Sequence, residues 1–299
     1  MPYIIMKGTV TRPRSVYARS MIRLRLATGR HGALPAFLIA GTQRGGTTFL
    51  YDLLLQHPAV YPALVKEVHY FDRHYANGEA WYRANFSPHL AANGSEPAQI
   101  TGESTPCYLY HPHAPKRVAE LVPDARIIIL LRNPVQRAYS HYNLMREFGI
   151  ETLSFEDALR AEPERIAEDA RRLGEDENYF GRMRARYSYV DRGKYIEQVP
   201  RWFDYFPASQ ILILQSEAMY ADPPATARQV AEFLGLPDWD PPRTGVASGL
   251  FKPRVTTSSQ QHASIRQETR DWLARKFEPY NQALFAYLGR EFDWEGSRS

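Results

Sequence analysis

The sequence predicts an α/β fold in which helices flank a central parallel sheet, giving three layers. Three short apolar runs are typical of buried strands, and they lie at residues 37–40, 126–131 and 210–214. Each run is followed by a segment with helical spacing or a helix-start signal, at residues 49–56, 135–146 and 224–234. Continuous apolar strands that alternate with helices indicate a parallel sheet covered on both faces.

The strand ends carry the clearest local signals. The first strand runs into the glycine-rich turn Gly41-Thr-Gln-Arg-Gly-Gly-Thr-Thr, and the leucines at 50, 53 and 54 then share one helical face. The second strand stops at Arg132-Asn133-Pro134. Asn133 is a favoured N-cap and Pro134 suits the first helical position, so we expect a helix to begin here. A helical pattern over 263–288 follows late in the chain.

No linker or internal repeat divides the chain, so we expect one domain over residues 35–294. A basic arm over residues 1–34 precedes it and a tail over residues 295–299 follows. Residues 151–178 are strongly acidic and helix-prone. They are typical of a solvated helical insertion, although a role in gating substrate access stays open.

Composition limits the function classes. The net charge is only +4, and no recognition-helix or zinc-finger pattern is present, so we expect no nucleic-acid partner. The single cysteine, Cys107, excludes an intrachain disulfide and any zinc site built from several cysteines, and it favours a cytoplasmic location. No apolar run is long enough to span a bilayer, so the basic arm would make peripheral membrane contact at most. The oligomeric state stays open.

The glycine-rich turn predicts an anion site. Gly41 and Gly46 are spaced as in the phosphate-binding loop Gly-x-x-x-x-Gly-Lys-Ser/Thr. Glycines let the backbone approach an anion closely, and the N-terminus of the next helix presents free N–H groups. Arg44 adds a positive charge, and Thr47 and Thr48 add hydroxyl donors. The fold is therefore expected to be P-loop-like.

Two differences from nucleotide triphosphatases indicate another donor. Thr47 occupies the position of the loop lysine, and the second strand ends in Arg132 and Asn133, where a magnesium-binding acid would be expected. Arg132 suits a second phosphate. The sequence thus favours a donor with a 5′ anion and a separate phosphate, and it predicts no metal.

Five motifs in this order resemble the sulfotransferases that use 3′-phosphoadenylyl sulfate (PAPS). The pattern is closest to the heparan sulfate O- and N-sulfotransferase branch and its bacterial relatives. The motifs are Phe37-Leu-Ile-Ala-Gly-Thr-Gln-Arg-Gly-Gly-Thr-Thr, Lys66-Glu-Val-His-Tyr-Phe-Asp, Gly102-Glu-Ser-Thr-Pro-Cys-Tyr, Arg126-Ile-Ile-Ile-Leu-Leu-Arg-Asn-Pro-Val-Gln-Arg-Ala-Tyr-Ser and Leu288-Gly-Arg-Glu-Phe-Asp-Trp. The resemblance implies in-line transfer of sulfonate from PAPS to a hydroxyl or amine of a glycan or other small biomolecule, with PAP as the second product.

The resemblance also implies donor-binding residues. The loop residues would bind the 5′-phosphosulfate, and they are Arg44, Gly45, Gly46, Thr47 and Thr48. Arg132 and Ser140 would bind the 3′-phosphate. Lys252 and Arg254 would close over the adenosine phosphate.

The segment after the first helix supplies the catalytic candidates. The resemblance makes Glu67 the general base, with His69 as the alternative, because the attacking group must lose a proton. Lys66 is a further catalytic candidate. Acceptor contacts are expected from Lys66, His69, Asp72 and Ser104. Two residues depart from the family pattern, since Arg44 and Ser104 both stand where lysine is usual.

Two other functions stay open at this point. A P-loop kinase of small molecules would turn over ATP with magnesium. A non-catalytic nucleotide- or glycan-binding module would bind the donor product and transfer nothing.

Overall fold

The structure is a computed structural model, and it describes residues 13–89, 99–241 and 264–294. Five strands form one sheet in which every pairing is parallel. They are β1 (Phe37–Gly41), β2 (Val60–Tyr61), β3 (Ile100–Ser104), β4 (Arg126–Leu131) and β5 (Ile211–Gln215). The order across the sheet is β2-β3-β1-β4-β5, so β1 is central. The predicted parallel α/β sheet is confirmed.

The three predicted strands are β1, β4 and β5, whereas β2 and β3 did not stand out in the sequence. β3 reads Ile-Thr-Gly-Glu-Ser and lacks an apolar run. Its Glu103 is nevertheless buried, and both carboxylate oxygens accept hydrogen bonds from hydroxyl groups. A buried polar strand of this kind is possible because its polar groups are paired.

Helices cover both faces of this sheet. The α-helices among the described residues are Pro13–Thr28, Thr47–Leu54, Gly78–Arg83, Ala114–Leu121, Pro134–Glu147, Phe155–Glu175, Arg182–Tyr187, Pro200–Phe203, Ser216–Ala221, Pro223–Phe233 and Gln267–Leu288. Shorter helical turns lie at Tyr70–His74, Tyr75–Asn77, Asp191–Gly193, Tyr195–Glu197 and Ala208–Gln210. Within the described residues, no helix is both long and apolar enough to cross a membrane.

Alternate side chains of the strands enter separate cores. Leu38, Ile127 and Ile129 pack on one face with the helix Ala114–Leu121. Phe37, Ile128 and Leu130 pack on the other face with the helices Thr47–Leu54 and Pro223–Phe233, and this alternation follows from the two-residue period of a strand. The strand ends that carry the polar loops are thereby held at a fixed edge.

The helix starts follow local chemistry. Asn133 caps the helix Pro134–Glu147, because its Oδ1 accepts hydrogen bonds from the backbone N–H groups of Val135 (2.9 Å) and Gln136 (3.2 Å). The expected cap is therefore present. Ser154 caps the helix Phe155–Glu175 in the same way.

The acidic stretch forms a helix with both an exposed and a buried side. Phe155 and Leu159 are buried, and the buried Glu162 accepts hydrogen bonds from the backbone N–H groups of Val190 (2.7 Å) and Asp191 (2.8 Å). Glu162 thus fixes the residues that follow the helix Arg182–Tyr187.

The amino-terminal helix is anchored to the domain by an arginine. The Nη1 of Arg25 donates to the carbonyl groups of Ala84 (2.9 Å) and Phe86 (2.6 Å). Part of the basic arm therefore packs on the residues after the helix Gly78–Arg83.

Candidate active site

The polar loops converge at the carboxyl ends of the three central strands. β1 leads into residues 42–46, β3 into the turn that starts at Thr105, and β4 into Arg132 and Asn133. In open parallel sheets, ligands bind in the crevice outside these strand ends. The segment that carries Lys66 and Glu67 reaches the same edge, because the backbone N–H of His69 donates to the Thr105 hydroxyl (3.3 Å).

The glycine-rich loop has little room for side chains. A Cβ on Gly45 would lie 2.8 Å from the carbonyl oxygen of Leu130. Gly46 has φ +91°, and a Cβ there would lie 2.7 Å from the Met219 methyl group. The Ser216 hydroxyl, at the start of the helix that follows β5, donates to the carbonyl of Gly45 (2.8 Å) and stabilises the turn. The loop therefore leads directly into the helix Thr47–Leu54, whose first N–H groups are free of helical partners.

Three of the predicted donor-binding residues meet beside this loop. The Nε of Arg44 donates to the hydroxyl of Ser140 (2.9 Å), and the Nη1 of Arg132 donates to the carbonyl of Arg44 (3.0 Å). The helix that carries Ser140 begins at Pro134, two residues after Arg132. Arg44 thus lies between Arg132 and Ser140. The glycine-rich loop and the residues predicted to bind the 3′-phosphate therefore form one cationic surface.

An array of neighbouring charged side chains is formed by Lys66, Glu67, His69 and Asp72. Glu67 Oε1 lies 2.9 Å from Lys66 Nζ, and Glu67 Oε2 lies 3.4 Å from His69 Nε2. The other ring nitrogen of His69, Nδ1, lies 2.9 Å from Asp72 Oδ2. The side chains of His69 and Asp72 are 1% and 4% exposed, whereas that of Glu67 is 25% exposed. Solvent and ligands can therefore reach this array at Glu67.

The backbone of this array adopts an uncommon conformation. Glu67 has φ 61° and His69 has φ 56°, although neither is glycine. Non-glycine residues are uncommon in this left-handed region, and residues in sparsely populated backbone conformations cluster at functional sites.

A buried hydroxyl network supports the array from β3. Glu103 Oε2 accepts from the Thr105 hydroxyl (2.6 Å), and Glu103 Oε1 accepts from Tyr82 (2.6 Å) and Tyr108 (3.0 Å). The Tyr108 oxygen in turn accepts from the backbone N–H of Tyr70 (2.9 Å). The motif Gly102-Glu-Ser-Thr-Pro-Cys-Tyr was recognisable in the sequence, but the supporting role of Glu103 was not.

The family of the chain is shown by comparison with known proteins. The sequence pattern described as "Sulfotransferase domain" matches residues 34–277, which is most of the chain. The chain belongs to this sulfotransferase family. The resemblance inferred from the motifs is therefore confirmed, and membership decides against the small-molecule kinase.

Its relatives include heparan sulfate enzymes and a bacterial protein. The chain is 30% identical over 277 residues to mouse heparan sulfate glucosamine 3-O-sulfotransferase 3A1, covering 88% of this chain but only 65% of that one. It is 32% identical over 274 residues to human heparan sulfate glucosamine 3-O-sulfotransferase 6, covering 87% and 73%. A solved sulfotransferase structure from Alicyclobacillus acidocaldarius matches with a TM-score of 0.68 and 27% identity, covering 88% of this chain and 99% of that chain. The fold is thus that of sulfotransferases.

In this sulfotransferase, electrostatics distinguish the two candidate bases. Burial alone would raise the pKa of Glu67, but Lys66 and His69 outweigh it and hold the pKa of Glu67 well below its usual range. Burial alone would lower the pKa of His69, but Asp72 and Glu67 together raise that pKa to about 9. At neutral pH Glu67 is a carboxylate, whereas His69 carries two N–H groups and has no lone pair to accept a proton.

Asp72 completes this arrangement. Burial tends to raise its pKa, but His69 and Arg73 lower that pKa to about 2. Asp72 therefore remains ionised and holds the imidazolium of His69 in place. In this position Asp72 orients His69 within the array, and its expected contact with an acceptor stays a prediction.

Asp52 is a second acid near Lys66 that sequence reasoning missed. It lies in the helix Thr47–Leu54 and is 4% exposed, and neither carboxylate oxygen has a hydrogen-bond partner among the described residues. Burial raises the pKa of Asp52 to about 6, and the charge of Lys66 partly opposes this rise. Lys66 therefore interacts with carboxylates on two elements.

Ser104 is fully buried at the end of β3. Its hydroxyl lies 3.4 Å from the carbonyl oxygen of Thr47, so it connects β3 to the loop helix. Its expected contact with an acceptor stays a prediction. Lys252 and Arg254 lie outside the described residues.

One group of side chains in the described part of the chain has metal-ligand character. Ligand atoms of His69, Asp72 and Cys107 lie within 4.8 Å of one another. Arg192 Nη1 lies 3.7 Å from Cys107 Sγ, and Arg73 Nε lies 3.6 Å from Asp72 Oδ2. The two guanidinium groups place positive charge beside these atoms, and His69 Nδ1 is hydrogen-bonded to Asp72. The expectation that no metal takes part stays a prediction.

Proposed function

We propose that this protein transfers the sulfonate group of PAPS to a hydroxyl or amine of a glycan acceptor. The observation that carries this proposal is the Lys66–Glu67–His69–Asp72 array, which lies at the same sheet edge as the glycine-rich loop. The curated relatives act on heparan sulfate by name, and this supports a glycan as the acceptor class.

The donor fits the cationic surface around Arg44. When bound, PAPS supplies the sulfonate and leaves as PAP. The N–H groups of the glycine-rich loop would hold the 5′-phosphosulfate, because they present donors and a positive helix end to an anion. Arg132, Arg44 and Ser140 would hold the 3′-phosphate, since guanidinium and hydroxyl donors lie side by side there. No metal is assigned to this site.

Glu67 would act as the general base. As the acceptor oxygen or nitrogen forms its bond to sulfur, the bond between sulfur and the donor phosphate oxygen breaks, and the acceptor proton passes to Glu67. Lys66, 2.9 Å from Glu67, would stabilise the negative charge that develops on the leaving oxygen. Movement of Lys66 towards that oxygen would also raise the basicity of Glu67, because it removes the strongest positive neighbour.

A sulfonate-transfer assay tests the proposal. Purified protein is incubated with ³⁵S-labelled PAPS and a panel of neutral and anionic oligosaccharides, without added metal, and products are identified by mass spectrometry. We expect labelled oligosaccharide with the wild-type protein and much less with Glu67→Gln, while the exposed control Glu232→Gln remains active. No product with any acceptor, together with intact PAP binding, would support the non-catalytic module instead. The cytoplasmic location and the absence of a nucleic-acid partner stay predictions from the sequence.

A further inference from the structure

A late segment of the chain, residues 290–294, lies across the carboxyl ends of β4 and β5. The Nδ2 of Asn133, just after β4, donates to the carbonyl of Trp294 (2.7 Å). The Nε2 of Gln215, the last residue of β5, donates to the carbonyl of Asp293 (3.0 Å). We call residues 290–294 the carboxyl-terminal strap. The strap belongs to the last of the sequence motifs, none of whose residues takes part in the proposed function.

Asn133 joins the strap to two helices. Its Oδ1 caps one helix by accepting from the backbone N–H groups of Val135 and Gln136. Its own backbone N–H donates to Glu217 Oε1 (2.9 Å), in the helix that follows β5. Since the Nδ2 donates to Trp294, both ends of the carboxamide are used. A side chain without an amide group would therefore lose the strap even if it kept the cap.

The aromatic side chain of the strap reaches Arg132 through one intermediate. Trp294 is 6% exposed, and its ring centre lies 5.9 Å from that of Tyr195. Tyr195 is buried, and its hydroxyl donates to the carbonyl of Arg132 (2.8 Å). Phe292 stacks on Trp294 with 5.2 Å between the ring centres, which limits the positions that Trp294 can take. The strap thus contacts Asn133 directly and Arg132 through Tyr195.

The side chain of Arg132 extends from this fixed backbone to the glycine-rich loop. Its Nη1 donates to the carbonyl of Arg44 (3.0 Å), and the residue is half-buried. Loss of rotamer freedom on binding weakens affinity unless the side chain is already fixed. A guanidinium group that binds a phosphate through two hydrogen bonds also needs a defined direction. The placement of Arg132 therefore affects the affinity for a phosphate far more than that for the rest of a nucleotide.

We propose that the carboxyl-terminal strap is part of the donor site, in which Trp294 and Asn133 position Arg132 for the 3′-phosphate of the donor. The inference rests on the proposed function, in which Arg132 binds this phosphate. Trp294 and Asn133 act through Arg132 and are therefore positioning residues. The strap thereby contributes to the choice between PAP and nucleotides that lack a 3′-phosphate.

Calorimetric binding of PAP and of 5′-AMP, which differs from PAP only by lacking the 3′-phosphate, tests this inference. Trp294→Ala removes the ring from Tyr195, whereas Trp294→Phe keeps a ring there. Asn133→Ser keeps a favoured N-cap but has no amide group to donate to the strap. Glu291→Gln is the matched control, because Glu291 is exposed on the strap. Val118→Ala, in the buried core, shows what a loss of stability alone does.

We expect Trp294→Ala and Asn133→Ser each to lose roughly tenfold in PAP affinity, the lower end of the range for a hydrogen bond to a charged group. Affinity for AMP should stay nearly unchanged, so the ratio of the two affinities falls. Trp294→Phe should retain most of this ratio, and Glu291→Gln all of it. Val118→Ala should lower Tm and leave the ratio unchanged, because a cavity destabilises the fold without moving Arg132.

A double variant shows whether Trp294 acts through Arg132. In an Arg132→Ala background, Trp294→Ala should cost no further PAP affinity, because the side chain that Trp294 positions is already absent.

Two results would overturn the inference while the proposed function stands. One is a wild type that prefers PAP to AMP beside Trp294→Ala and Asn133→Ser variants with the same preference. The other is an equal loss of PAP affinity from Trp294→Ala with and without the side chain of Arg132. A wild type that binds PAP and AMP equally would instead refute the 3′-phosphate site of the proposed function, and with it this role of the strap.

Discussion

Replacing Glu67 with glutamine is the sharpest test of the catalytic array. The carboxylate accepts from Lys66 (2.9 Å) and lies within reach of His69 (3.4 Å). Glutamine has one acceptor oxygen, so either Lys66 or His69 loses its partner. The shape of the side chain is kept, whereas its ability to take a proton is lost.

Turnover should fall by the roughly 10²- to 10⁴-fold that general base catalysis supplies. That range corresponds to about 3–5 kcal/mol in the activation free energy. Donor affinity should change little, because the contacts of Arg44, Arg132 and Ser140 do not involve Glu67. The assay is kcat with an acceptor identified by labelled transfer, alongside PAP binding by calorimetry.

The comparison with His69→Ala decides the assignment. Because His69 is an imidazolium that positions Glu67, its loss should reduce kcat less than the loss of Glu67 or act mainly on the acceptor KM. A nearly active Glu67→Gln enzyme beside an inactive His69→Ala enzyme would refute the reasoning. Loss of PAP binding in Glu67→Gln would show that Glu67 is a structural contact.

Three further outcomes are expected. PAP should bind without magnesium and more tightly than ADP, and equal affinity for the two would contradict the 3′-phosphate site. Arg132→Ala should weaken PAP binding by about 1.5–3 kcal/mol in calorimetry, which is the range for a hydrogen bond to a charged group. Gly45→Ala should reduce PAP affinity at least tenfold, because the added Cβ would lie 2.8 Å from the carbonyl oxygen of Leu130. The control Gly174→Ala should bind PAP normally, because a Cβ at that position would have no neighbouring atom within 4 Å. The pKa of His69 rises from 6.5 to about 9 on folding, so its stabilising contribution should be complete below pH 6.5 and disappear as the pH rises through 9. Denaturant unfolding across that range should show the fall in the wild type and a flatter profile in His69→Ala; identical slopes would contradict the charge assignment.

Apolar runs were sufficient for β1, β4 and β5. The predicted helices correspond to Thr47–Leu54, Pro134–Glu147 and Pro223–Phe233, whereas Ser216–Ala221, which directly follows β5, was not predicted. Apolar periodicity failed for β3, because this strand has no apolar run. The burial of its Glu103 depends on hydroxyl groups from Tyr82, in an earlier helix, and from Tyr108, in the turn after the strand. A sequence pattern contains no record of such pairing.

The candidate site shows a similar division. The glycine spacing and the order of the motifs predicted which segments form the candidate site, and the loop residue Arg44 contacts both Ser140 and Arg132. The pairing of Arg132 with Ser140 on a 3′-phosphate stays a prediction. The position of Asp52 could not be predicted, since a helix face gives no sign of a nearby lysine from another segment. Arg184 and Arg192 pack on the Tyr110 ring from two different short elements, so their meeting depends on tertiary packing alone.

The central position of β1 has a consequence for synthesis of the chain. Phe37 pairs with Gly102 on one side and with Arg126 on the other, so both neighbours of the first strand are made much later. Until then, the nascent chain carries an apolar strand with two open edges, which is a template for intermolecular pairing. We therefore expect ribosome-bound chains that end before residue 126 to depend on chaperones, and the glycine-rich loop to gain its binding competence only after β4 has left the ribosome.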